Sequence, residues 1–158
     1  IYNFKTKLYI LNSNFKKIIV TISELTNKIN SHLKESNLSD FKNQLENLNF
    51  DSIKEFIEFN NEKYNKIILH QDVQFEIILI CWLPHQQTLE HKHPNNGCLM
   101  KLFKGQLNDI RRFKKEEIET VVYENEITYI EGGDIHMISN MGQKSISLHI
   151  YSPGNFYG

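Results

Sequence analysis

The chain has little of several features that mark particular protein classes. Two cysteines and three prolines in 158 residues argue against a disulfide framework and a proline-rich linker. The two arginines, Arg111 and Arg112, and a formal net charge of −1 leave no basic field of the kind that nucleic-acid binding needs. The longest apolar run covers residues 77–83 and is far shorter than the roughly 18 residues of a membrane span.

These absences leave a chain of ordinary globular composition. At this length a chain buries enough surface to fold without cross-links or a structural metal, so we expect residues 1–158 to form a single domain. No secretory pattern is visible at the start, and we expect a cytoplasmic protein whose cysteines are reduced. The sequence does not report the oligomeric state, and a monomer is the simplest expectation.

The first 60 residues show the spacing of amphipathic helices. Apolar side chains recur at intervals of three and four, and Thr21 with Glu24 has the spacing of a capping box. We expect a group of about three helices that packs on a larger unit. The predicted helices cover residues 21–35, residues 39–47 and a segment that begins at Asp51 or Ser52.

From residue 64 onward the sequence changes to short runs rich in Ile, Val, Phe and Tyr, separated by turns. About seven strands without intervening helices are typical of a small antiparallel barrel or a double-sheet jelly roll. We therefore predict a mainly β fold for residues 64–154 and a solvated hairpin turn at residues 114–117. The predicted strands are residues 75–83, 98–103, 106–113, 119–124, 128–130, 137–139 and 145–151.

Histidines are concentrated in this strand-rich part of the chain. His91 and His93 are two residues apart, which on a strand places both side chains on one face. His136 follows a glycine turn and enters another predicted strand. Imidazole ligands suit iron, copper, nickel and zinc. A His-x-His pair alone is a weak signal, since a single histidine is more often a surface or hydrogen-bonded core residue.

The segments around these histidines resemble the cupin superfamily. Residues 91–105 are similar to the first cupin motif and residues 133–140 to the second, but Cys98 stands where most cupins have a glutamate ligand. That departure resembles the type I cysteine dioxygenase family, as do residues 80–82 and the run Ser-Leu-His-Ile-Tyr-Ser-Pro at residues 147–153. The resemblance covers about residues 64–154.

The resemblance implies a cupin-type fold and a mononuclear non-haem Fe(II) enzyme that adds both atoms of O2 to a thiol, giving a sulfinic acid. It makes His91, His93 and His136 the metal ligands, and a small thiol and O2 the partners. Three neutral imidazoles would leave the charge of the ion uncompensated, so a thiolate would be attracted to it and the thiol pKa lowered.

The resemblance also gives roles to Ser147, His149 and Tyr151, as a hydrogen-bonded row that positions the tyrosine hydroxyl beside the metal. These residues lie at i, i+2 and i+4 and project to one face of a strand. In the alternative interpretation the apolar residues 146, 148 and 150 form the inward set and the polar row faces outward.

The two cysteines have different expected roles. Cys98 is either a small buried hydrophobe or, as the family resemblance implies, the partner of Tyr151 in a thioether crosslink. Cys81 is expected to be a core residue. The resemblance further implies a cis peptide bond between Ser152 and Pro153, the kind of bond at which the cis form costs little.

Tyr64-Asn65-Lys66 departs from the Tyr-x-Arg stretch with which the family binds a substrate carboxylate. A lysine pairs with a carboxylate as a point charge but lacks the planar bidentate contact of arginine. Tyr64 and Lys66 are the candidate substrate-binding residues. L-cysteine is the leading substrate, and 3-mercaptopropionate, used by relatives that also lack the arginine, stays open. Alternatively, Lys66 is a solvated strand-edge lysine.

Two other function classes stay open. A non-catalytic cupin could use the same pocket to bind a small ligand, because fold does not fix function. A zinc- or nickel-dependent isomerase or hydrolase would need a carboxylate near the metal, and the candidates by sequence position are Glu90, Glu131 and Asp134. Glu90 directly precedes His91, and successive side chains of a strand point to opposite faces, so Glu90 is expected to face away from the metal. His70 and His85 are expected outside the site.

Overall fold

The computed structural model describes residues 19–113 and 115–155, which contain two α-helices, several 3₁₀ turns and nine strands. No helix in these two ranges has the length and apolar character needed to cross a membrane. The helices are α1 (Ile22–His32) and α2 (Lys42–Glu46), and the strands are β1 (Asn65–Gln71), β2 (Glu76–Trp82), β3 (His91–Lys92), β4 (Cys98–Lys104), β5 (Gln106–Phe113), β6 (Glu116–Tyr123), β7 (Ile127–Ile130), β8 (Ile135–Ser139) and β9 (Ser145–Tyr151).

The first predicted helix begins as its capping pattern indicates. The backbone N–H of Glu24 donates to Thr21 Oγ1 at 3.2 Å, and the backbone N–H of Thr21 donates to the Glu24 carboxylate at 2.8 Å, which is a complete capping box. A 3₁₀ turn at Leu33–Glu35 follows α1. The second predicted helix consists of a 3₁₀ turn at Leu38–Phe41 and the short α2.

The prediction of a third helix is wrong. Its place is taken by two 3₁₀ turns, Phe50–Ser52 and Lys54–Phe56. Ser52 Oγ donates back to the carbonyl oxygen of Asn49 at 2.7 Å, and the side chain of Asn49 accepts from the backbone N–H of Asp51 at 3.0 Å. Local bonds of this kind satisfy the backbone without a helix, so the segment turns toward β1 instead.

The strands form two antiparallel sheets. The five-stranded sheet has the order β1-β2-β9-β4-β7 and the four-stranded sheet the order β3-β8-β5-β6. The fold is mainly β, as predicted. Neither sheet closes on itself within the described ranges, so a closed barrel is the wrong expectation and the double-sheet form is the one observed.

Most predicted strands are present, with shifted ends. β5 and β9 have the predicted bounds, whereas β6 already begins at Glu116. The predicted turn at residues 114–117 is therefore wrong for Glu116 and Glu117, and Lys114 lies outside the described residues. No strand is predicted where β1 lies, because its apolar residues 67–69 are consecutive and show neither alternation nor a long apolar run.

The five-stranded sheet is buried on both faces, and its alternate residues enter different cores. A helix-side core contains α1, α2 and one face of β2, with Ile77, Leu79 and Cys81. An inner core contains the opposite face of β2 and residues of the four-stranded sheet such as Leu107 and Ile138. This division explains the continuous apolar run of β2, and Cys81 is a core residue as predicted.

Candidate metal centre

The structure brings the three predicted metal ligands together. β3 pairs with β8 so that His91 lies opposite His136, and His93 follows β3 by one residue. One ring nitrogen from each histidine lies within 4.8 Å of the other two. The Nε2 atoms of His91 and His136 are 3.1 Å apart.

Hydrogen bonds on the far side of two rings orient their metal-facing nitrogens. Nδ1–H of His91 donates to the carbonyl oxygen of Leu89 at 2.9 Å, and Nδ1–H of His136 donates to Asp109 Oδ1 at 2.8 Å. In neutral rings both Nε2 atoms then carry lone pairs. Two lone pairs at this separation repel each other unless they share a cation, so these residues fit a bound divalent metal ion.

Burial keeps the rings of His91 and His93 in the form that binds metal. Burial lowers the pKa of His91, and burial together with the neighbouring rings of His136 and His91 lowers the pKa of His93 to about 3. Neutral imidazole is the ligating form. His93 Nδ1 is buried and has no hydrogen-bond partner among the residues that the structure describes.

A cavity of about 200 Å³ opens beside the histidines. Its wall includes both predicted substrate-binding residues, Tyr64 and Lys66. None of the described residues that line it is an aspartate or a glutamate. The lining is Tyr64, Lys66, Ile80, Trp82, Thr88, Leu89, His91, His136, Ile138, His149 and Tyr151.

The polar row of β9 lies in the inner core. Ser147 Oγ is 2.8 Å from His149 Nε2, and the Tyr151 hydroxyl is 3.2 Å from His149 Nδ1. Burial holds the pKa of His149 well below its usual value, so the ring is neutral. The intervening residues 146, 148 and 150 belong to the helix-side core. The alternative in which the polar row faces outward is therefore wrong, although the apolar residues of β9 are buried as well, because both faces of the strand are covered.

Cys98 lies beside this row. It is fully buried and stands in register with Tyr151 across the β4–β9 pair. Its Sγ is 3.9 Å from His149 Nδ1. Burial raises the pKa of the Cys98 thiol, and a hydrogen bond with Tyr151 opposes this. Cys98 and Cys81 are both free thiols.

Among the described residues that line the cavity, Lys66 is the one lysine or arginine. It is an exposed residue of β1 opposite Ile80, and its Nζ is 5.8 Å from the centroid of the Tyr64 ring. Burial lowers the pKa of Lys66, and the charge of Glu76 opposes this. Neither arginine lines the cavity: Arg111 pairs with Asp109, and Arg112 pairs on the surface.

Two residues with contacts to the site carry no role in the sequence interpretation. Trp82 Nε1–H donates to Ser147 Oγ at 2.9 Å, and the Trp82 ring stacks on Tyr64. Asp109 accepts hydrogen bonds from His136 and Arg111. Burial raises the pKa of Asp109, but these hydrogen bonds bring it below its usual range. The sequence does contain one indication of Asp109. It lies two residues after Leu107 in the predicted strand, so a charged side chain shares a face with an apolar one that is expected to be buried.

The remaining candidates lie away from the cavity. Glu90, Glu131 and Asp134 are exposed, and Glu90 pairs with Arg112 at 2.8 Å, so a carboxylate base at the metal has no support. His70 pairs with Asp72 at 3.0 Å and His85 is exposed, both outside the cavity as predicted. The Ser152–Pro153 peptide bond is cis, as the resemblance implies.

Comparison of the sequence with known proteins gives a consistent result. Residues 11–156 match the family model for cysteine dioxygenase type I. Cysteine dioxygenase type 1 of Danio rerio is 25% identical over 111 residues, which are 62% of this chain and 55% of that protein. The Homo sapiens protein is 26% identical over 112 residues with the same coverage. The chain thus spans about half the length of the curated relatives it matches.

Solved structures resemble the fold. A conserved Klebsiella pneumoniae protein with a double-stranded β-helix domain has a TM-score of 0.59 at 20% identity, covering 66% of this chain and 84% of that one. A cupin superfamily protein from Desulfitobacterium hafniense has a TM-score of 0.53 at 17% identity, covering 62% and 84%. At these identities the likeness concerns the fold alone, and it supports the cupin-type assignment.

Proposed function

Because the chain belongs to the cysteine dioxygenase type I family, we propose that it is a mononuclear Fe(II) dioxygenase that adds both atoms of O2 to the sulfur of a small thiol. The leading substrate is L-cysteine, which would become cysteine sulfinic acid. The observation that carries the proposal is the cluster of three histidines, two of which, His91 and His136, line a cavity together with Lys66 and Tyr151.

His91, His93 and His136 would hold the ion. Imidazole donors suit Fe(II), and the described cavity lining adds no carboxylate that would offset its charge. A bound Fe(II) would supply positions for a thiolate and O2 and would pass the electrons of the sulfur to O2. Because neutral ligands leave the charge of the ion uncompensated, an anionic sulfur would be attracted to it.

Lys66 would orient the substrate. A carboxylate at one end of the thiol pairs with its ammonium group while the sulfur faces the histidines, and Tyr64 forms the wall beside Lys66. The buried apolar side chains of Ile80 and Ile138 would limit the water around the reacting sulfur. A point-charge contact of this kind tolerates L-cysteine and 3-mercaptopropionate alike.

The row of β9 would deliver a proton. Trp82 Nε1–H occupies an acceptor position of Ser147 Oγ, so the Ser147 hydroxyl is available to donate to His149 Nε2. His149 Nδ1–H then donates to the Tyr151 oxygen, so the hydroxyl proton of Tyr151 is available to Cys98 Sγ and, when substrate is bound, to the cavity that Tyr151 lines. In this arrangement Tyr151 would lend its hydroxyl proton to the reacting oxygen and recover it within the same cycle, because a thiol and O2 give a sulfinic acid with no net uptake of protons.

A thioether between Cys98 and Tyr151 is a further part of the proposal. Joining Sγ to the ring carbon next to the hydroxyl removes one hydrogen from each residue, and O2 takes up both electrons and both protons to give hydrogen peroxide. After aerobic turnover the intact mass should fall by two hydrogens in wild type and C81A but not in C98A. An unchanged mass in wild type would contradict the crosslink.

We also propose that the protein is cytoplasmic, since its two cysteines form no disulfide with each other, and that it is a monomer, the simplest assembly. Gel filtration of the purified chain tests the oligomeric state, and fractionation of the source cells tests the location. Elution at twice the chain mass would contradict the monomer.

The activity is tested by anaerobic loading with Fe(II) and measurement of O2 consumption with L-cysteine, 3-mercaptopropionate and cysteamine. We expect uptake with the first two thiols and much less with cysteamine, which has no carboxylate for Lys66. Metal binding without uptake for any thiol would instead favour a non-catalytic ligand-binding protein.

A further inference from the structure

Asp109 lies behind the histidine cluster and is absent from the cavity lining. It is 1% exposed, and both of its carboxylate oxygens are engaged. Oδ1 accepts from His136 Nδ1–H at 2.8 Å, while Oδ2 accepts from Arg111 Nε–H at 2.9 Å and from an Nη2 hydrogen at 2.8 Å. A charge buried this deeply is unfavourable unless its partners compensate it.

The strand geometry builds this contact into the fold. Asp109 and Arg111 are two residues apart on β5, so their side chains share one face. The β5–β8 pairing sets Arg111 opposite His136 and Asp109 opposite Ile138. Arg111, Asp109 and His136 therefore form a continuous chain of hydrogen bonds that runs from the partly exposed guanidinium to the cluster.

The three histidines differ in the hydrogen-bond partner of their Nδ1 atoms. Nδ1 of His91 is bound to the backbone carbonyl of Leu89, whose side chain is 87% exposed. Nδ1 of His93 has no hydrogen-bond partner in the described chain. Of the three, His136 has the carboxylate partner. Such a partner fixes the tautomer and plane of an imidazole and strengthens the opposite nitrogen as an electron-pair donor.

We propose that Asp109, clamped by Arg111, is a positioning residue that sets the tautomer, orientation and donor strength of His136 and thereby the affinity of the centre for a divalent metal. Arg111 acts through Asp109, because its two N–H groups on one oxygen fix the orientation of the carboxylate toward His136. The inference rests on the metal site of the proposed function and is independent of the thiol.

The central test is metal affinity of the metal-free protein, measured with Co(II) and Zn(II) by chelator competition in the absence of thiol. D109N keeps the size of the side chain but removes its charge. We expect its affinity to fall about 10–100-fold. R111Q should lose less, because Asp109 remains, and R111K should recover part of the loss, because a positive charge is restored.

A double variant distinguishes an action through Asp109 from an independent role of Arg111. D109N/R111Q should bind metal as weakly as D109N alone. R112Q is the matched control, since Arg112 is the next residue of β5 and pairs with Glu90 and Glu117 on the surface. Its metal affinity should equal that of wild type. Urea unfolding of each metal-free variant checks that it is folded.

A spectroscopic readout separates positioning from a merely structural role. In the Zn(II)-loaded protein labelled with 15N-histidine, the Nδ1–H proton of His136 should resonate far downfield in wild type and move upfield in D109N and R111Q. If D109N does not fold, R111Q and R111K carry the test. Wild-type affinity and an unmoved Nδ1–H signal in these variants would overturn the inference while leaving the metal site intact. Wild-type protein that binds no metal would overturn both.

Discussion

Tyr151 contributes two separable properties to the site, a ring and a hydroxyl. The ring stacks on His93 and on His149, with centroid separations of 5.9 and 5.8 Å. The hydroxyl ends the hydrogen-bonded row that begins at Trp82. Replacing the residue by phenylalanine therefore keeps the packing and removes the proton donor.

We expect Y151F to lower kcat about 100-fold and to leave metal affinity unchanged, because no proposed ligand is altered. Steady-state O2 uptake and metal titration measure the two quantities. Y123F, a change at an exposed tyrosine of β6, is the control and should behave as wild type. Full activity of Y151F would show that the hydroxyl is not the donor.

Lys66 determines which thiols bind well. K66Q should raise KM about tenfold for thiols with a carboxylate, the value of one partly solvated charged contact, and should leave KM for cysteamine unchanged. K63Q removes a neighbouring exposed lysine and serves as the control. An equal rise in KM for all three thiols would mean that Lys66 does not recognise the carboxylate.

At the scale of elements, the sequence predicts what local patterns encode. The capping box at Thr21 and the bounds of β5 and β9 follow from neighbouring residues, as does the His-x-His pair. Asp109 and Trp82 acquire their contacts from pairing between strands distant in sequence, so only the register reveals them. The third helix fails because the side-chain bonds of Asn49 and Ser52 compete with helix formation.

The contact between the helices and the five-stranded sheet includes one buried charge. Lys101 of β4 is 4% exposed, and its Nζ donates to the carbonyl oxygens of Leu45 and Glu46 at the end of α2, both at 2.9 Å. These carbonyls lie at a helix terminus, where the backbone supplies no intrahelical donors. Lys101 therefore ties α2 to the sheet.

K101M should lower the free energy of unfolding by about 2 kcal/mol, because it removes two charge-assisted hydrogen bonds to carbonyl oxygens. Metal affinity should not change, since α2 packs on the helix-side core. K104M removes a surface pair with Glu124 and should cost less than about 0.5 kcal/mol. Urea unfolding compares the variants, and equal losses for K101M and K104M would contradict the role of Lys101.

In the whole molecule, one sheet separates two cores with different tasks. Apart from Lys101, the helix-side core is apolar, whereas the inner core carries the histidines, the polar row of β9 and the cavity. His93 and His149 are buried there as neutral rings. An unfolded histidine takes up a proton near pH 6.5, so folding opposes protonation at these two positions.

The metal-free protein should therefore lose stability as the pH falls below about 6.5, where the unfolded chain binds protons that the folded state does not. Each such histidine contributes up to about 1.4 kcal/mol per pH unit. Urea unfolding between about pH 7.5 and about pH 5 should give a shallower dependence for H149Q than for wild type. H85Q, at an exposed histidine, is the control, and parallel curves for H149Q and wild type would contradict the account.

The most direct measurement of the proposed activity is the isotopic composition of the product. The Fe(II)-loaded protein is given L-cysteine under 18O2 in ordinary water, and the product is analysed by mass spectrometry. We expect cysteine sulfinic acid with both oxygens of the new S–O bonds derived from 18O2. Disulfide as the sole product, or sulfinate that contains oxygen from water, would contradict a dioxygenase at this site.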